Sequence, residues 1–167
     1  MERLTSLLDS FADRTGALIA PLTLLMTLAT CVVVVARYAF GTGAVPLQEA
    51  VIYMHGAVFM LGIGYTLKAQ GHVRVDIVYQ RLSARTQATI DLLGALLFLL
   101  PVAGFIFWTS LDYVALSYRM GEGSPEPGGL PALYLLKALI PLGAVLLCLQ
   151  GLAEISRSLS KLVNRHG

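Results

Sequence analysis

The sequence predicts an all-α membrane protein with four transmembrane helices, a short amphipathic helix before the first, and a long third helix. Three observations predict it. Apolar residues make up 56% of the 167 and charged residues 13%, against about 45–50% and 25% in soluble domains. Four stretches, residues 15–36, 50–67, 92–111 and 138–153, contain no Asp, Glu, Lys or Arg. None of the four alternates with period two, which argues against barrel strands, and backbone groups in hydrocarbon must then pair within helices. At this length the chain holds a single domain, residues 1–167. Its composition excludes a soluble enzyme, a nucleic-acid-binding domain and a disordered chain.

Ahead of the first span, Leu4, Leu7, Leu8 and Phe11 recur at i, i+3, i+4 and i+7. This spacing predicts a short amphipathic helix lying on the membrane surface. The first span, 15–36, is long enough for a hydrocarbon core of about 30 Å. Leu28-Ala29-Thr30-Cys31 faintly resembles a lipoprotein cleavage box, but Val32–Val35 carry the apolar run past it, so a retained helix is expected. Gly41, Gly43 and Pro46 then make a tight hairpin. Arg37 ends the first helix and Glu49 opens the second; an ion pair between them is one expectation, contact with a partner the other.

The second span, 50–68, closes on Lys68, whose stem can reach the interface. Gly71 is expected to stop this helix, and Asp76 to cap a short interfacial helix running to Leu82. A brief extended segment through Val73 and Val75 fits between them, and Ser83 is placed to cap the third helix. That helix runs from Ala84 to about Tyr118 and crosses the membrane over 90–112, with a kink at Pro101. At ~1.5 Å per residue it reaches about 50 Å, so its end projects past the bilayer, with Trp108 and Tyr113 near the interface. Residues 121–131 form an acidic loop rich in Gly and Pro. Pro131 suits the first turn of the fourth helix, which spans 133–153 with Tyr134 as an interfacial anchor.

Lys and Arg divide nine to three between the two sides, with the terminal tails and the middle loop on the rich side. The rule of positive loops places both termini in the cytoplasm, and the basic side faces anionic phospholipid. Cys31 and Cys148 lie at depths differing by about 10 Å, beyond the ~7 Å Cα limit for a disulfide, and are expected to pack as apolar residues.

An ionisable residue inside a span marks a candidate for function, and within the four charge-free stretches His55 is the one candidate. A haem would need two inward-facing ligands, whereas His72 lies about 25 Å further along the helix direction. His72-x-Arg74-x-Asp76 offers two metal ligands, too few for a site. Glu49 stands at a helix end rather than at mid-membrane. No catalytic residue, cofactor or metal is therefore expected, and His55 is expected to be packed and hydrogen-bonded. The spans instead carry small residues: Gly56, Ala57, Gly62 and Gly64; Gly94, Ala95, Ala103 and Gly104; Gly143, Ala144 and Gly151. These allow close helix approach, within the chain or onto a partner. Without pathway residues, an accessory subunit is the favoured reading.

Arg37-Tyr38, Glu49, the run Gly71-His72-Val73-Arg74-Val75-Asp76 and Gly121-Glu122-Gly123-Ser124 form one pattern over nearly the whole chain. It resembles the small, DctQ-like membrane subunit of tripartite ATP-independent periplasmic (TRAP) transporters, and His-Val-Arg-Val-Asp is its most specific element. The resemblance implies a non-catalytic scaffold in the bacterial cytoplasmic (inner) membrane, bound to a large multi-span subunit that holds the substrate and sodium sites. A periplasmic substrate-binding protein would deliver an organic acid to the pair. The resemblance further implies structural or subunit-interface roles for Arg37, Tyr38, Glu49, His72, Arg74 and Asp76. The loop carrying Glu122, Ser124 and Glu126 would lie where the binding protein docks. The competing reading is a self-sufficient, homo-oligomeric small carrier or channel.

Overall fold

A computed structural model of the chain describes residues 2–72 and 76–163. Its helices are α1 (Glu2–Phe40), α2 (Val45–Lys68), α3 (Asp76–Tyr79), α4 (Ala84–Arg119) and α5 (Leu133–Val163). All but α3 are long and apolar enough to cross a membrane, which bears out the predicted fold class.

The amphipathic segment is not a separate helix but the opening turns of α1. No helix breaker separates Phe11 from Thr15, and the Thr15 hydroxyl donates to the Phe11 carbonyl at 2.9 Å. Leu7 and Phe11 point outward. The stripe holding Thr5, Asp9 and buried Ala12 faces inward, and Thr5 and Asp9 meet α5. The polar stripe is thus the packed one.

α2 ends at Lys68 in a Schellman closure, with Gly71 N–H on the Thr66 carbonyl (2.9 Å) and Gln70 N–H on that of Leu67 (3.1 Å). The left-handed residue is Gln70, at φ 54°, and not the expected Gly71. α3 is shorter than expected because the Arg81 and Leu82 amides turn back three residues, to Val78 and Tyr79, instead of continuing the helix. Gln87 holds this turn by donating to the Tyr79 and Leu82 carbonyls. Ser83 caps α4 as its type requires, accepting from Thr86 N–H at 3.2 Å.

Pro101 lacks an N–H, and its ring crowds the carbonyl four residues earlier. α4 accommodates it with a widened π turn over Ala95–Leu99 and runs on for 36 residues, about 54 Å. α5 starts at Leu133, leaving Pro131 two residues outside its first turn.

The helices form an open layer centred on α5. α1 packs on α2, α2 on α5, and α5 on α4, while the first turns of α1 also reach α5. α4 makes no extended packing against α1 or α2 among the described residues. Small residues set the seams. A Cβ on Gly143 would stand 2.9 Å from the Met60 carbonyl oxygen, so α2 and α5 cross at backbone contact. On the other flank Gly151 faces Leu99 and Leu100, and Ala103 and Ala153 are completely buried. Gly94 and Gly104, by contrast, open onto empty space.

Candidate functional site

The polar groups gather at the two ends of the layer. At the loop end, α4 terminates in a second Schellman closure, with Glu122 N–H on the Ser117 carbonyl (3.0 Å) and Gly121, at φ 58°, in the left-handed position. This turn brings the Glu122 side chain back over α4. There Glu122 accepts from the buried Ser117 hydroxyl at 2.5 Å and pairs with Lys137 of α5 at 2.5 Å. The Lys137 ammonium lies 4.2 Å from the centre of the Tyr113 ring, a cation–π arrangement. Hydrogen bonds from Lys137 and then from Ser117 hold the Glu122 carboxyl below the usual carboxylate range. Tyr118 and Tyr134 meet edge to face at 5.3 Å beside this knot.

Glu49 anchors the far side of the same loop. Its carboxylate accepts from Leu130 N–H at 2.5 Å and from the Ser124 hydroxyl. Gly129 lies so close that a side chain there would strike Ser124 and Glu49. The expected Arg37–Glu49 pair is not formed. Glu49 is turned into the loop, and Arg37 stands exposed on the last turn of α1. Glu49 and Glu122 therefore act as latches that tie the loop to α2 and α5. Glu126 alone of the three predicted docking residues is exposed; Ser124 and Glu122 are committed inward.

At the terminal end, Arg157 of α5 bridges two carboxylates, Asp9 of α1 at 2.8 Å and Glu154 at 2.7 Å. Gln150 also donates to Asp9 at 3.0 Å, Thr5 donates to Ser156, and Lys68 pairs with Asp13 at 2.5 Å. The cleft between α1 and α5 measures about 460 Å³ and is lined by Asp9, Asp13, Arg157, Lys161 and hydroxyls. This network was missed from the sequence. Its signal was nonetheless present, because Gln150, Glu154 and Arg157 fall at i, i+4 and i+7 and so share one helix face.

His55 is neither packed nor hydrogen-bonded as expected. It is exposed on the outer side of α2, with its ring 6.4 Å from that of Phe59 and no polar partner among the described residues. The cause is rotational. The α2 seam toward α5 runs through Gly56, Met60 and Gly64, so position 55 turns away from it. Tyr38 (85% exposed) and His72 also face outward. Arg74, with the extended segment expected around it, and the Asp76 side chain lie outside the described residues. Cys31 and Cys148 are free thiols, exposed and partly buried respectively.

A family model described as "Tripartite ATP-independent periplasmic transporters, DctQ component" matches residues 26–161. The match covers both polar knots apart from Thr5, Asp9 and Asp13, and all the loop segments singled out above. No curated protein and no solved structure matches the chain.

Proposed function

We propose, because the chain belongs to the DctQ component family of tripartite ATP-independent periplasmic transporters, that it is the static scaffold of such a transporter. Membership makes it the small, multi-pass membrane component of an assembly that also contains a large permease subunit and a periplasmic binding protein. The finer role is our reading. The chain supports a large subunit that moves substrate, an organic acid taken up in symport with sodium, across the bacterial inner membrane. It contributes no catalytic step.

The observation that carries the reading is the open layer. Its polar groups latch its own helices together at the two ends, while the membrane-depth faces of α1, α2 and α4 remain largely uncovered. A carrier acting alone needs polar groups converging on a central pathway. Here the centre of the layer is α5, sealed by Gly143, Ala144, Gly151 and Ala153.

The start of α1 and the end of α5 lie together at one end of the layer, since Thr5 and Asp9 meet Ser156 and Arg157. The nine-to-three charge division assigns that end to the cytoplasm, where Lys161 and its neighbours face anionic phospholipid. A C-terminal fluorescent-protein fusion should then fluoresce and an alkaline phosphatase fusion should stay inactive; the reverse pattern would overturn the orientation. Arg37, Tyr38, His72, Arg74 and Asp76 are assigned to contacts with the large subunit, and Glu126 to docking of the binding protein.

The test of the central role is reconstitution. Liposomes holding this chain alone should show no flux of the organic acid. Liposomes with both membrane subunits, supplied with binding protein and a sodium gradient, should accumulate it. Flux through the chain alone would favour the homo-oligomeric carrier.

A further inference from the structure

His55 lies ten residues into the 24 of α2, about 15 Å from its start and so near mid-membrane. A neutral imidazole carries one donor and one acceptor, and an imidazolium carries two donors. Lipid tails supply no partner for either form, which makes a lipid-facing imidazole strongly unfavourable. No neighbouring side chain is hydrogen-bonded to His55 among the described residues. The Thr27 and Thr30 hydroxyls donate within α1, to the Thr23 and Met26 carbonyls at 2.8 Å each. The Cys31 thiol is a weak donor and acceptor.

Lys137 pairs with Glu122, and the exposed Asp112 stands at the far end of the α4 span rather than at mid-depth. Gln150 and Glu154 of α5 are buried and bonded inside the layer. His55 is turned the other way. It sits in an open groove of about 430 Å³ between α1 and α2, formed with Met26, Thr27, Thr30, Cys31, Val51 and Ile52. Their mostly short side chains leave a concave strip along the hairpin, a shape that receives the ridge of another helix. The outward side of α4, with Val102 and Phe105, offers apolar groups that lipid satisfies.

We propose that this groove is the seat of a transmembrane helix of the large subunit, and that a hydrogen-bonding group on that helix pairs with His55. The proposal rests on the scaffold reading above and adds which face is used and what chemistry the partner presents there. Complementarity commits the occupant: the groove needs an apolar ridge bearing one polar group at mid-depth, which a polytopic protein can supply and a lipid cannot.

The test uses both membrane subunits expressed together, with a photoreactive phenylalanine analogue at Ile52 in the groove or at Phe105 on α4. Irradiation should cross-link the large subunit from position 52 and not from 105. In parallel, His55→Leu should lower the large subunit recovered with the chain about tenfold, the loss of one buried hydrogen bond. His55→Gln, whose amide donates and accepts, should retain most of it. Cross-linking from 105 alone, with the subunits still co-purifying, would overturn the groove and leave the scaffold reading standing. Cross-linking of two copies of this chain at 52 would make the groove a homotypic seam and also overturn it, as would full recovery with His55→Leu. If the wild-type chain recovers no large subunit, both the groove and the scaffold reading fail.

Discussion

Glu49 and Glu122 show how a carboxylate near a membrane surface can be structural rather than reactive. Each is met by two donors from its own chain, and together they fix a loop that Pro125, Pro127 and Pro131 already stiffen. Glu49→Ala leaves the Leu130 amide and the Ser124 hydroxyl without their acceptor. It should cost about 1–3 kcal/mol, the range for leaving a buried donor without its acceptor, as read from denaturation in detergent. Glu122 has a pH signature. Its carboxyl sits below the ordinary range because the folded state favours the charged form. Its contribution is therefore complete above the ordinary carboxylate pKa and lost as pH falls through the depressed one. The melting temperature of the wild type should exceed that of Glu122→Gln at neutral pH, and the gap should close in strong acid. A gap that stayed constant or widened on acidification would contradict the pairing with Lys137.

At the scale of the helix, the decisive residues are the small ones on the α2–α5 seam. Gly143→Leu forces the seam apart at the Met60 carbonyl and should cost at least the 1–3 kcal/mol or so typical of overpacking. Gly104→Leu, into open space, should leave the melting midpoint almost unchanged. The first turns of α1 depend on Asp9: Asp9→Ala removes the acceptor shared by Arg157 and Gln150, and amide exchange over residues 5–12 should quicken while the spans stay protected. The existence of these helices was legible because hydropathy, run length and the Ser83 cap are local properties. Their joins were harder to read. Merging of the amphipathic segment into α1 depends on α5 offering Ser156 and Arg157 to its polar stripe, a contact spanning 148 residues between Asp9 and Arg157. Gln70 rather than Gly71 takes the left-handed position because closure onto Thr66 fixes the register, overriding the steric preference for glycine.

For the whole molecule, the sequence showed which residues are polar but not which of them face one another. Glu49 was legible as a helix-opening carboxylate, and its partner, 75 residues away at Ser124, was not. His55 was legible as the anomalous residue of the spans. Its direction was not, because helical rotation is set by where the α2–α5 seam falls. The open layer follows from the same cause, since α5 carries small residues on two flanks and so accepts α2 on one side and α4 on the other, while α2 turns Gly62 toward α1. A layer of this kind, latched at its ends and bare along its faces, has its remaining apolar surface available to another membrane protein.

The most direct test of that claim is recovery of the tagged chain from membranes in which the large subunit is expressed with it. The scaffold account predicts a complex of fixed stoichiometry that survives mild detergent, together with uptake that is lost when either subunit is omitted. A chain recovered only by itself, with uptake undiminished in its absence, would contradict it.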